Sequence, residues 1–156
     1  MASKYQTNFM ISSIDGSEKI ELRNPASSGK KLEVLKVGIV SEAGFEVFKF
    51  RRYDNLANHD APTSVSVYKW DPASSAPVGG VYWGATATID FQGSVDWAHD
   101  EQLDSGDGGD DAEVIFAKYF PGTEQVIVPE GCSFRVLLPE SQAEWTIKII
   151  WQEVAV

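Results

Sequence analysis

The chain carries one cysteine, Cys132, in 156 residues. An intrachain disulfide is excluded, and so is a cysteine-ligated zinc domain. Only two histidines occur, His59 and His99. That is too few for the His-rich metal centre of a cupin enzyme. No Gly-X-Ser-X-Gly nucleophile elbow is present. No apolar run approaches the ~18 residues of a membrane span. The opening "MASKYQTNFMISSID" lacks the apolar stretch of a secretory signal. A soluble protein made in a cytoplasm is expected, with neither a membrane nor a cofactor as partner. Cations are scarce beyond residue 53. Residues 54–156 hold four Lys/Arg against seventeen Asp/Glu, while residues 1–53 hold nine against six. The net charge of −10 speaks against nucleic acid as a partner, because neutralising phosphates needs clustered cations.

Aromatic residues are plentiful: eight Phe, five Tyr and five Trp. Together with the length, they predict one folded unit over residues 1–156 with a substantial core. Short β-type runs recur between Gly, Pro, Asn, Asp and Ser clusters. The pattern predicts strands at 19–23, 32–40, 46–53, 64–70, 85–91, 113–119, 125–128, 133–138 and 144–153. Residues 1–12 are expected to form a loose arm. The clearest strand is "EWTIKIIWQEV". Trp145, Ile147, Ile149 and Trp151 alternate with Thr146, Lys148 and Gln152, the period of a half-buried strand. In "LEVLKVGI" the apolar parity changes around Leu35, which a β-bulge or burial on both faces would produce. Helical signal is thin, and only "DDAEVIFAKYF" is ambiguous. Many closely spaced strands without amphipathic helices predict an all-β fold. The expected form is an antiparallel β-sandwich, jelly-roll-like, with little helix.

Several candidate sites can be weighed. The stretch "LRNPASSGKKLEVLKVGIV" places Gly29 and Lys30 between two strand patterns. A phosphate loop needs a following helix, and here a strand follows. The cluster is therefore read as a turn. Residues 100–111, "DEQLDSGDGGDD", hold six carboxylates. Their spacing fits no EF-hand register, so an exposed, self-repelling loop without tightly bound calcium is expected. His59 and His99 each adjoin an Asp but lie 40 residues apart in loop-like segments, as surface histidines do. Cys132 lacks a helix terminus or basic neighbour to activate it. Trp70, Trp83 and Trp97, with Tyr68 and Tyr82, would form a sugar-stacking platform if exposed. Core or interface packing is the commoner use of such rings.

Two segments resemble a known family. "LRNPASSGKKLEVLKVGIV" is similar to the strand, Asn-Pro-x-x-x-Gly-Lys turn and strand of small virion structural proteins of tailed bacteriophages. "VIVPEGCSFRVLLPESQAEWTIKIIWQEV" resembles their C-terminal pair, a Pro-x-Gly turn, a strand, and a last strand ending in Trp-x-Glu. The resemblance implies a jelly-roll protein without enzymatic activity, of the capsid cement or decoration type. It would be a homotrimer seated on the outer head lattice, with the major capsid protein as partner and the virion exterior as its location. Arg23, Lys30, Lys31 and Lys36 would then help dock it. The alternative is a carbohydrate-binding module of a phage tail or fibre. It would need exposed rings in a groove with polar groups beside them.

Overall fold

A computed structural model describes residues 2–12, 19–41, 46–84, 89–90, 93–103, 114–119, 126–138 and 144–156. Among them there is no helix, and every paired strand is antiparallel. The described residues form fourteen strands: β1 (Ser3–Ser12), β2 (Lys19–Arg23), β3 (Lys30–Ser41), β4 (Glu46–Tyr53), β5 (Asn58–His59), β6 (Thr63–Ser64), β7 (Tyr68–Lys69), β8 (Gly80–Gly84), β9 (Ile89–Asp90), β10 (Val95–Leu103), β11 (Val114–Tyr119), β12 (Val126–Val128), β13 (Ser133–Leu137) and β14 (Glu144–Ala155). One sheet runs β11-β3-β14-β1-β7, with β12 also on β3, and the other runs β10-β4-β13-β2-β8-β6. Strands β5 and β9 form a separate pair.

The pairing is nested. β1 pairs with β14, β2 with β13, β3 with β11 and β12, and β4 with β10. A chain folded back on itself in this way forms a sandwich compatible with the jelly-roll arrangement expected. The two sheets share one core cluster that includes Leu22, Phe48, Phe50, Phe134 and Val136 from one side. Tyr5, Ile11, Val34, Ile147 and Trp151 come from the other. Across the layers, Phe48 meets Trp145 edge-on at 5.2 Å between ring centroids, a preferred aromatic geometry.

Trp145, Ile147, Ile149 and Trp151 are all fully buried, as their alternation predicts. The parity change in β3 is a bulge. Ile150 pairs with Lys36 and Trp151 with Val34, so Leu35 is the inserted residue. The extra residue keeps Leu32 and Val34 on the core side together with Val37 and Ile39.

Four expectations need correction. Residues 1–12 are not a loose arm: β1 lies between β14 and β7, in register with β14 from Ser3↔Glu153 to Ser12↔Glu144. Tyr5, Thr7 and Ile11 are buried on alternate positions, but the polar Thr7 hides that period in the sequence. The single strand expected at 64–70 is two pieces in different sheets. β6 joins β8, and β7 joins β1, while Val65 and Val67 pack on the core between them. Of the strand expected at 85–91, residues 85–88 and 91 lie outside the described residues and Ile89–Asp90 form the short β9, while Gly80–Gly84 before it form β8, which the pattern missed. The Gly79-Gly80 signal marks close packing as well as a turn, since a Cβ at Gly79 would meet Leu32 Cδ1 at 2.8 Å. Finally, Asp100 through Leu103 belong to β10 rather than to an exposed loop. The rest of that acidic stretch, 104–111, lies outside the described residues. The ambiguous segment at 110–120 contributes β11.

Because Ile147 sits fully buried in a central strand, Ile147→Ala is expected to cost about 2–5 kcal/mol. Urea denaturation measures this, and a loss below about 0.5 kcal/mol would place the row on the solvent side.

Candidate functional site

The Asn-Pro turn that follows β2 carries the chain from one sheet to the other. Its centre is Asn24, which is fully buried. The Asn24 side-chain amide donates to the Lys30 carbonyl at 2.9 Å and the Val128 carbonyl at 3.0 Å. Its Oδ1 accepts from Ser28 Oγ at 2.8 Å. Its backbone N–H donates to the Cys132 carbonyl, and its own carbonyl accepts from the Gly131 N–H. Gly131 has φ of 72° and the Cys132 N–H closes back on the Pro129 carbonyl. A positive φ at the third position is what a type II turn requires of glycine. Gly29 N–H is held by Glu130 Oε1. Two turns about a hundred residues apart in sequence are thus one hydrogen-bonded joint. No phosphate-binding geometry arises there: the Asn24 and Ser28 side chains are committed to the turn itself.

The four cations named as docking candidates are not gathered into one patch. Arg23 alternates with Leu22 and so lies on the outer face of its sheet. Its guanidinium donates to the Ala57 carbonyl at 3.2 Å and lies 3.1–3.2 Å from the His59 ring nitrogens. Lys31 and Lys36 lie on the outer face of the opposite sheet, alternating with the buried positions of β3. Lys31 Nζ is 3.2 Å from Glu33 Oε1. Lys30 opens β3 opposite Ala155. Only Lys30, Lys31 and Lys36 therefore share a strand.

Beside Arg23 is a polar cluster that the sequence did not reveal. Glu21, Ser133 and Arg135 are fully buried. They point to the outer face of their sheet and are covered by the chain following β4. Glu21 Oε2 accepts from the Ala57 N–H at 2.9 Å, and Oε1 is 2.7 Å from His59 Nε2. The Arg135 guanidinium donates to Ser133 Oγ at 2.8 Å and to the Asn55 carbonyl at 3.0 Å. It stacks on Tyr53, with 3.8 Å to the ring centroid. Burial pulls its pKa down to about 10, opposed by Glu21, so it remains a cation at neutral pH. His59 is consequently not an ordinary surface histidine. It fastens a covering segment to β2. His99 stands in β10, stacked with Phe50 and Trp97 at 6.2 Å. Cys132 is half-buried, and burial pushes its thiol above the ordinary value, which keeps it protonated and a poor nucleophile. Among the described residues, no three His, Cys, Asp or Glu side chains gather as metal ligands do.

The aromatic platform is divided. Trp83 and Trp97 pack against the core, and Tyr82 lies 4.7 Å from the His59 ring. Tyr68 and Trp70 are more than half exposed. Trp70 lines an open groove of about 430 Å³ with Ser3, Lys4, Asp71, Ser74 and Ser75. Compared with protein-family models, curated proteins and solved structures, the chain has no match.

Removing one member of a buried charge pair leaves the other uncompensated. Arg135→Leu is therefore expected to cost about 3–5 kcal/mol in chemical denaturation. A loss under about 1 kcal/mol would show that Arg23, 3.7 Å from Glu21 Oε1, balances the carboxylate without Arg135.

Proposed function

We propose that this chain is a non-enzymatic structural protein of a tailed-phage virion, of the capsid cement type. It binds the outer head lattice as a homotrimer, with the major capsid protein as partner. One observation carries the reading. The two segments that resemble such virion proteins are built as a single unit. The first supplies the end of β2, the Asn24 turn and β3. The second supplies β12, the Gly131 turn, β13 and β14, which pair with β3 and β2. A resemblance split between distant parts of a chain gains weight when both parts form one interlocked element.

Docking is assigned to the outer face of β3, where Lys31 and Lys36 lie, with Lys30 at its start. Arg23 holds the covering segment instead. Acidic patches on the lattice would meet this strand, while the acidic remainder of the chain faces outward. Charge at such a rim sets orientation and association rate, and apolar contact holds the complex.

Light scattering is expected to give about three times 17.1 kDa for the free protein. The double reversal Lys30→Glu, Lys31→Glu should slow binding to undecorated heads of its phage by roughly tenfold. Its melting temperature should stay near that of the parent. A stable monomer without affinity for heads would contradict the proposal.

A further inference from the structure

The groove at Trp70 is a built feature rather than an accidental hollow. Its floor strand is fixed by pairing between β1 and β7, Tyr5 opposite Lys69 and Gln6 opposite Tyr68. Trp70 is fastened twice: its backbone N–H donates to the Lys4 carbonyl at 3.1 Å, and its indole N–H donates to Gln6 Oε1 at 3.1 Å. Lys4 Nζ lies over one face of the ring, 5.5 Å from its centroid, which leaves the opposite face for a ligand. The loop that follows is equally tied. Asp71 Oδ1 accepts from the Ala73 N–H at 2.9 Å, and the Asp71 carbonyl accepts from the Ser74 N–H at 2.9 Å. Lys69 Nζ holds the Ser74 carbonyl, and the buried Tyr5 hydroxyl donates to the Ser75 carbonyl at 2.9 Å. Despite these anchors, Trp70 remains 54% exposed. Packing alone does not explain a large ring held by two hydrogen bonds and half exposed.

We propose that this groove binds a neutral saccharide, with the Trp70 ring as stacking surface and Lys4, Asp71, Ser74 and Ser75 as its polar contacts. An indole face is electron-rich and apolar, and the C–H face of a pyranose is its chemical complement. The surrounding groups include a donor, Lys4, an acceptor, Asp71, and hydroxyls able to do both. Each carboxylate oxygen of Asp71 retains lone pairs beyond the one bond to Ala73. A polyhydroxylated ligand uses all of these at once. An anionic ligand would meet Asp71, and a cationic one would meet Lys4. The volume, about 430 Å³, suits one or two sugar rings within the ordinary range of ligand sites. Because the groove is preformed, little ordering opposes binding. This site stands independently of attachment to a head lattice.

Titration of the full chain with maltotriose, cellotriose, mannotriose and chitotriose, followed by tryptophan fluorescence and calorimetry, tests the inference. At least one is expected to bind with a dissociation constant below about 10 mM, a weak but specific affinity. Trp70→Ala should weaken that binding by at least about tenfold, with the circular dichroism unchanged. Ser75→Phe, which fills the groove and leaves Trp70 in place, should weaken it similarly and serves if Trp70→Ala fails to fold. Absence of binding to all four sugars at about 10 mM, or binding indifferent to the folded variants, would overturn the proposal.

Discussion

The fold depends on joining two sheets at places where the chain must leave one and enter the other. At such a crossing, backbone groups lose their ladder partners inside the protein and must find others. Asn24 meets this demand for two crossings together. Its side chain satisfies carbonyls of Lys30 and Val128, and its backbone pairs with the turn at Gly131 and Cys132. Asparagine offers two donors and an acceptor on a short stem, and all of them are used here. Nearby, the Val156 N–H donates to the Gly29 carbonyl, so the end of β14 closes over the same joint. The Asn-Pro-Ala-Ser-Ser-Gly-Lys sequence is explained by this geometry. Pro25 follows the buried Asn, Ser27 and Gly29 take the positive φ values that turn the chain, and Ser28 braces the amide.

A second layer of polar interactions serves a different purpose. Glu21 and Arg135 sit on the outer face of a sheet, where solvent would ordinarily reach them. The segment after β4, with His59 in β5, lies over them and is bound by them. Lys19 Nζ donates to the Ile89 carbonyl at 3.3 Å, which brings β9 to the same face. On the other side of the sandwich, Glu153 captures the N–H groups of Val78 and Gly79 at 3.0 and 2.9 Å. Both sheets therefore use a buried glutamate to hold irregular chain. That device ties Ala57 and His59 to β2, and Val78 and Gly79 to β14.

Much of the architecture was legible in the sequence because alternation survives wherever a strand has one dry and one wet face. The row Trp145, Ile147, Ile149, Trp151 and the parity change at Leu35 are direct readings of that kind. β1 was not legible, since Thr7 occupies a core position and its Oγ1 accepts from the Ile149 N–H rather than supplying apolar signal. β10, "VDWAHDEQL", reads as polar because it alternates at a sheet edge, where exposure relaxes the demand for apolar residues. The break inside 64–70 keeps period two while the chain changes sheets, and periodicity does not report which sheet a strand joins. At the site level, the rings of Trp70 and Tyr68 stood out as aromatic, but nothing in the sequence separated them from Trp83 and Trp97, which are packed inward. The buried pair Glu21 and Arg135 was hidden for the same reason: charged residues on alternate positions signal solvent unless a distant loop covers them.

The account rests on Asn24 locking both crossings as one unit, and hydrogen exchange on Asn24→Ala tests this most directly. Unfolding free energy should fall by about 1–3 kcal/mol, because the Val128 carbonyl loses its buried donor and the Lys30 carbonyl keeps only Ser28 Oγ. Amide protection should drop together at Gly29, Gly131 and Val156, showing that both turns and the end of β14 open as one. A loss confined to Gly29, with Gly131 and Val156 protected as in the parent, would show that the two turns stand independently and would contradict the account.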